Sequence, residues 1–231
     1  MTSTTSTDFN SYYDQDRHVM LDFVPSGVGR VLEVGCASGK FGTALKAQRN
    51  CEVWGIELHP PAAEIAAQSL DKVLVTDVEA GTLTLPSAYF DCVIYNDILE
   101  HLRDPWQHLR DIQSHLRPGG HVVASIPNIR HHQVMNDVYF RGEWRYQSAG
   151  ILDQTHLRFF TKTSIREMFE SVGYKVQRLE GINGAEFPWK FGLINRLLLN
   201  ALNDMRYMQF ACVAQYAGAP DVAQRQGKEV L

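Results

Sequence analysis

Short acidic and glycine-bearing segments carry the first chemical signal. Glu33-Val-Gly35-Cys-Ala-Ser-Gly39 closes an apolar run, and its glycines let a ligand lie against bare backbone. A second apolar run ends in Glu57, where a carboxylate can accept two hydrogen bonds from a ribose diol. A third ends in Asp77 and a fourth in Asn96-Asp97. Glu100-His101 follows directly, and a histidine, with an ordinary pKa of about 6.5, suits general-base work. Asp97, Glu100 and His101 stand at i, i+3 and i+4, so a helical turn would turn all three one way, around a divalent ion. Bracing that turn is the alternative use, and no metal is expected. Cys36 reads as a small buried residue rather than a nucleophile, and His131-His132 as exposed loop histidines.

These residues need strands and helices to hold them. Strand patterns fall at Arg30–Val34, Glu52–Ile56, Val73–Val75, Phe90–Tyr95, His121–Ile126, Lys175–Leu179 and Met208–Gln215. Helix patterns lie between them at Phe41–Gln48, Pro60–Leu70 and Asp104–Leu116. The last has Asp104 as N-cap, Pro105 at N1 and Arg117-Pro118-Gly119-Gly120 as its stop. Ser164 and Glu167 form a capping box for a further helix ending near Gly173. Such alternation predicts an α/β fold: a doubly wound, mostly parallel seven-stranded sheet with helices on both faces and an antiparallel C-terminal strand.

Length and composition bound the rest. At 231 residues, one domain is expected over 9–219, with a disordered Ser/Thr-rich start (1–8) and a flexible polar tail (220–231). A net charge of −4 argues against a nucleic-acid partner. The four cysteines form no CxxC pair, which suits buried thiols in a reducing compartment. No secretory signal and no apolar run of membrane-spanning length is seen, so the cytoplasm is the expected location.

The segments VLEVGCASG (31–39), GIEL (55–58), TDVE (76–79), FDCVIYNDILEHLRDPW (90–106) and LRPGGHVVASIPN (116–128) together resemble the class I S-adenosylmethionine-dependent methyltransferases. The resemblance is to the branch with the ubiquinone-biosynthesis O-methyltransferases and sugar and polysaccharide methyltransferases. One departure stands out: Ala37 occupies the place of a customary middle glycine, which also argues against a dinucleotide fingerprint. The resemblance implies S-adenosylmethionine as cofactor and assigns roles. Glu33 would orient the methionine amine, and the Gly35 and Gly39 backbone would line the methionine part. Glu57 would hold the ribose hydroxyls, with Leu58 against the adenine. Asp77 would take the adenine amino group and the Val78 amide a ring nitrogen, while the Asn96 carbonyl would face the methionine amine. Tyr12, Tyr13 and Arg17 would lie on a closing N-terminal helix, Arg17 pairing with the methionine carboxylate.

The methyl acceptor must then sit beyond the fourth and fifth strands. Residues 128–160 form a long aromatic and basic stretch, read as an acceptor lid. Within it Asp153-Gln-Thr-His156-Leu-Arg158 resembles a segment of sugar methyltransferases. His156 would be the base, Asp153 would fix its tautomer, and His101 would position the acceptor. Arg141, Arg145 and Arg158 would grip a phosphate. The expected reaction is O-methylation of a small molecule, a sugar or phosphorylated sugar. N-methylation of an amino sugar, O-methylation of a quinol or phenol, and a non-catalytic cofactor-binding scaffold are the alternatives. An apolar helical insertion is expected at 183–206, whose stretch 187–202 could serve a dimer or membrane-surface contact.

Overall fold

In the computed structural model, which describes residues 17–216 apart from residues 82, 185, 187 and 188, every predicted strand is present. They are β1 (Arg30–Val34), β2 (Glu52–Glu57), β3 (Lys72–Val75), β4 (Phe90–Asn96), β5 (Leu116–Pro127), β6 (Tyr174–Gly184) and β7 (Tyr207–Tyr216). They form one sheet in the order β3-β2-β1-β4-β5-β7-β6. Six strands run one way, and β7 runs antiparallel to both β5 and β6. The chain returns from β3 at the edge to pair β4 against β1, so the sheet's direction of winding reverses between β1 and β4. Ligands of open α/β sheets bind at such a reversal, beyond the carboxyl ends of the strands.

Helices α1 (Lys40–Gln48), α2 (Pro60–Ala66), α3 (Pro105–Ile112), α4 (His132–Asn136), α5 (Lys162–Ser171) and α6 (Trp189–Leu197) complete the frame. Strand alternation sends Leu32, Val93, Tyr95, Val122 and Ala124 to one face, where Leu109 and Ile112 of α3 and Ile165, Met168 and Phe169 of α5 cover them. Val31, Val53, Cys92, Ile94 and Val123 face the other way, under Phe41 and Leu45 of α1, Ala66 of α2 and the 3-10 turn His18–Phe23.

Several boundaries differ from expectation. Asp104 does cap α3, accepting from the Gln107 amide at 2.9 Å, but the helix tightens to a 3-10 turn at Gln113–His115. Arg117-Pro118-Gly119-Gly120 then lies within β5, as an irregularity in its pairing with β4, rather than as a loop. Helix α2 ends at Ala66, short of Leu70. The capping box of α5 is Thr161 with Ser164, not Ser164 with Glu167: Thr161 Oγ1 accepts from the Ser164 amide and Ser164 Oγ from the Thr161 amide. The segment 128–160 carries α4, a π turn at Asp137–Arg141 and bridges Asn128↔Phe160 and Gln147↔Asp153, over a small core of Val134, Ile151 and Leu152. Among the described residues no helix is long and apolar enough to cross a membrane. The expectations for residues 1–8, Tyr12, Tyr13 and 220–231 lie outside the described residues.

Candidate functional site

The carboxyl ends of β1, β2 and β4 surround a cleft of about 330 Å³. Gly35 has a φ of +70° and lies so close to Ile98 that an added Cβ would sit 2.1 Å from its Cδ1. A side chain at this position is disfavoured by the backbone and would require the Ile98 side chain to move. Ala37 also takes a left-handed conformation, φ +48°, so its methyl keeps the turn at a conformational cost. The Ala37 amide donates to Glu57 Oε2 and the His59 amide to Glu57 Oε1, both at 2.8 Å. Glu57 thus ties the glycine loop to the end of β2. Each of its oxygens keeps acceptor capacity for a ligand hydroxyl.

Glu33 is buried under this loop, where its Oε2 accepts from the Gly42 amide at 3.1 Å. Burial pushes its carboxyl up to about 8, against the opposing pull of the Arg17 guanidinium. Asn96 is buried at the end of β4 beside Glu33, and its side chain opposes the upward shift of the Glu33 carboxyl. Leu58, Asp77 and Val78 line the far wall of the cleft, where Asp77 Oδ1 also accepts from the Glu79 amide at 2.8 Å. A buried carboxamide on β4, an acid on β2, a second acid after β3 and a glycine turn of positive φ fit an adenosine bearing an amino-acid tail. They show no diphosphate-binding turn with glycine at 37. Gly39, at φ +78° before α1, packs so closely on Ala66 that an added Cβ would sit 3.0 Å from its Cα, and it serves the join of loop and helix more than the cleft. Cys36 is buried, and burial pushes its thiol far up.

A second chamber of about 260 Å³ opens beside the cleft, and Arg17, Asp97 and His101 line both. Asp97 is the hub. It sits at φ +56°, accepts from Arg17 Nε at 3.2 Å through Oδ2, and accepts from Ser125 Oγ and Gln209 Nε2 through Oδ1 at 2.8 and 2.6 Å. A non-glycine residue in this conformation at the mouth of two cavities is strain held in place by its three side-chain partners, Arg17, Ser125 and Gln209. Sequence reasoning weighed Asp97 only for a metal and missed this role.

Two histidines complete the chamber. His156 is buried, and its Nδ1 donates to the Ile151 carbonyl at 3.0 Å. The neutral ring therefore carries its proton on Nδ1 and leaves Nε2 as a base. Asp153 does not orient it, contrary to expectation: Asp153 Oδ1 is taken by the Thr155 amide at 2.8 Å and the Thr155 hydroxyl at 2.6 Å. The backbone carbonyl holds the tautomer instead. Asp153 acts one step away, because Thr155 meets His101 Nδ1 through its carbonyl at 3.3 Å and its Oγ1 at 3.2 Å. Both histidines thus have Nδ1 pinned, with ring centroids 4.7 Å apart. Burial, and then His156 beside it, pushes the His101 pKa down. Amides of Leu157 and Arg158 bond the Glu100 carbonyl at 2.9 and 3.0 Å, fastening this segment to the turn after β4.

Glu100 is buried with neither carboxylate oxygen hydrogen-bonded, and lies 3.9 Å from His156 Nε2. Desolvation, with Asp97 next in effect, holds its carboxyl well above the usual range. Ligand atoms of Glu100, His101 and His156 lie within 4.8 Å of one another, so the residues that could surround a cation are these three, with His156 in place of Asp97. The expected phosphate grip is not assembled. Arg145 pairs with Glu143 at 2.6 Å, Arg141 with Asp137 at 3.0 Å, and Arg158 donates to the Arg103 carbonyl; none lines this chamber. His131 and His132 are buried rather than exposed.

A family model described as a methyltransferase domain matches residues 10–179. The ubiquinone biosynthesis O-methyltransferase of Aeromonas salmonicida is 27% identical over 202 residues, covering 82% of this chain and 81% of that protein. The protein of the same name from an Azoarcus species is 33% identical over 118 residues, 47% of this chain and 50% of that one. Several curated relatives are spanned over about half their length or less. A SAM dependent methyltransferase from Archaeoglobus fulgidus shares the fold, with a TM-score of 0.64 at 17% identity, covering 90% of this chain and 98% of that one.

Proposed function

The chain belongs to the class I S-adenosylmethionine-dependent methyltransferases, and from that membership we propose that it methylates a hydroxyl of a sugar. Its cofactor is S-adenosylmethionine, which when bound supplies an electrophilic methyl group and its leaving group. In this reading Glu57, Asp77 and Val78 hold the adenosine, while Glu33, Asn96, Gly35 and Arg17 hold the amino-acid tail.

The observation that carries the acceptor class is the lining of the second chamber. Arg17, Asp97, Glu100, His101, Asp153, His156, Asn183 and Gln209 face it, and among the described residues its apolar lining is Pro127, Ala149, Ile151 and Met208, with no phenylalanine, tyrosine or tryptophan. Such a wall suits a ring bearing several hydroxyls. A sugar hydroxyl is a weak acid, so its proton must be removed as the new bond forms. His156 Nε2 takes that proton, His101 positions the hydroxyl, and Asp97 fixes the floor of the chamber. A phosphate on the sugar would meet, among the described residues, one arginine here, Arg17, which is already paired with Asp97. The second reading is a phenolic hydroxyl, favoured by the names of the two O-methyltransferase relatives. An aromatic acceptor would ask for stacking by phenylalanine, tyrosine or tryptophan, none of which lines the chamber among the described residues.

The experiment is methyl transfer from labelled S-adenosylmethionine to parallel panels of glycosides and catechols. Labelled glycosides support the proposal; label in catechols alone overturns it in favour of the phenol.

A further inference from the structure

A third cavity of about 550 Å³ lies under α4 and shares Gly150, Ile151 and Met208 with the acceptor chamber. The two are therefore contiguous over a short wall. His131 lines the third cavity, is 3% exposed, and its Nε2 has no hydrogen-bonding partner. A buried ring nitrogen without a partner is costly unless a ligand or water completes it. Burial and the neighbouring His132 push His131 down to about 4, so the ring is neutral near pH 7. The cavity's cation, Arg141, is already balanced by Asp137 at 3.0 Å. A neutral imidazole and a self-compensated ion pair favour a neutral hydroxylated ligand over a phosphate or carboxylate. A hydroxyl also serves either imidazole tautomer, as donor or acceptor.

We infer that the third cavity is a second acceptor subsite, which takes the neighbouring sugar unit of a glycoside of two or more units through His131 Nε2. This rests on the sugar reading above and narrows it from a free monosaccharide to a linked one. The shared wall gives the subsite a consequence for chemistry. Ile151 contributes to both cavities, and its carbonyl holds the tautomer of His156. A unit seated in the subsite packs against the residue that sets the base.

The test is calorimetry, with S-adenosylhomocysteine present, of methyl glycosides carrying one, two or three hexose units in several linkages. The wild type is expected to bind at least one two- or three-unit glycoside more tightly than its one-unit counterpart. His131→Phe should weaken that glycoside about tenfold, the scale of one lost hydrogen bond, and leave the one-unit affinity within about twofold. His131→Gln, which keeps a polar group, should recover part of the loss, and affinity for S-adenosylhomocysteine should stay unchanged in both. Equal weakening of one- and two-unit glycosides, no effect of either variant, or no binding of any longer glycoside overturns the subsite. Methyl transfer to one-unit glycosides would still stand in that last case, which separates failure here from failure of the sugar reading.

Discussion

Glu33 is a carboxyl whose proton is held by its surroundings. Its folded value of about 8 lies above the ordinary carboxylate range, because burial penalises the charge. The folded chain therefore keeps a proton that the unfolded chain gives up, and this contribution to stability is complete at low pH and lost as pH rises through about 8. Glu33→Gln removes the titration, so its stability relative to the wild type should grow from pH 5 to pH 8. The gain should reach on the order of 3 kcal/mol, read by urea melts at the two values. A constant difference would contradict the assignment. The histidine pair yields a second expectation. If His156 Nε2 is a free base, activity persists in excess chelator; loss restored by a divalent ion would assign Glu100, His101 and His156 to a metal instead.

At the scale of elements, the glycine loop and the caps are the places to probe. Ala37 holds a left-handed backbone that glycine adopts freely, so Ala37→Gly should stabilise by about 0.5–1 kcal/mol after the entropy of the added freedom is counted. Thr161→Ala should destabilise by about 1 kcal/mol through the loss of the α5 cap, whereas Glu167→Ala should be near neutral. Thermal melts decide both. These elements also show what could be read in advance. The strands announced themselves by apolar runs, and the mostly parallel sheet followed from their alternation with helices. The acids at their ends were legible because Glu33, Glu57 and Asp77 each close such a run. The cap of α5 slipped by one turn because Ser164-x-x-Glu167 satisfies the usual pattern, whereas the box that forms, Thr161-x-x-Ser164, has serine where glutamate or glutamine is customary. The holder of His156 was not legible at all: it is a main-chain carbonyl, Ile151, and carbonyl direction leaves no mark in residue types. Asp153 was the visible carboxylate nearby, but Thr155 intercepts it. His131 and His132 look like loop residues until the segment folds over its own small core.

The whole molecule divides its work along the sheet. The cleft belongs to β1, β2 and β4, while the proposed base, His156, lies outside the strands and lines the adjoining chamber, where its neighbours bond the turn after β4. Binding and chemistry should then be separable by one substitution. The direct measurement is kcat for methyl transfer to a glycoside acceptor, at saturating S-adenosylmethionine, for the wild type, His156→Ala and His101→Ala, with cofactor affinity measured alongside. A positioned base contributes about 10²–10⁴ in rate, so His156→Ala should lose at least about a hundredfold in kcat, and His101→Ala less, with cofactor affinity unchanged. If His156→Ala keeps kcat within about threefold while its cofactor affinity is intact, His156 does not remove the proton, and the account of the chamber is contradicted.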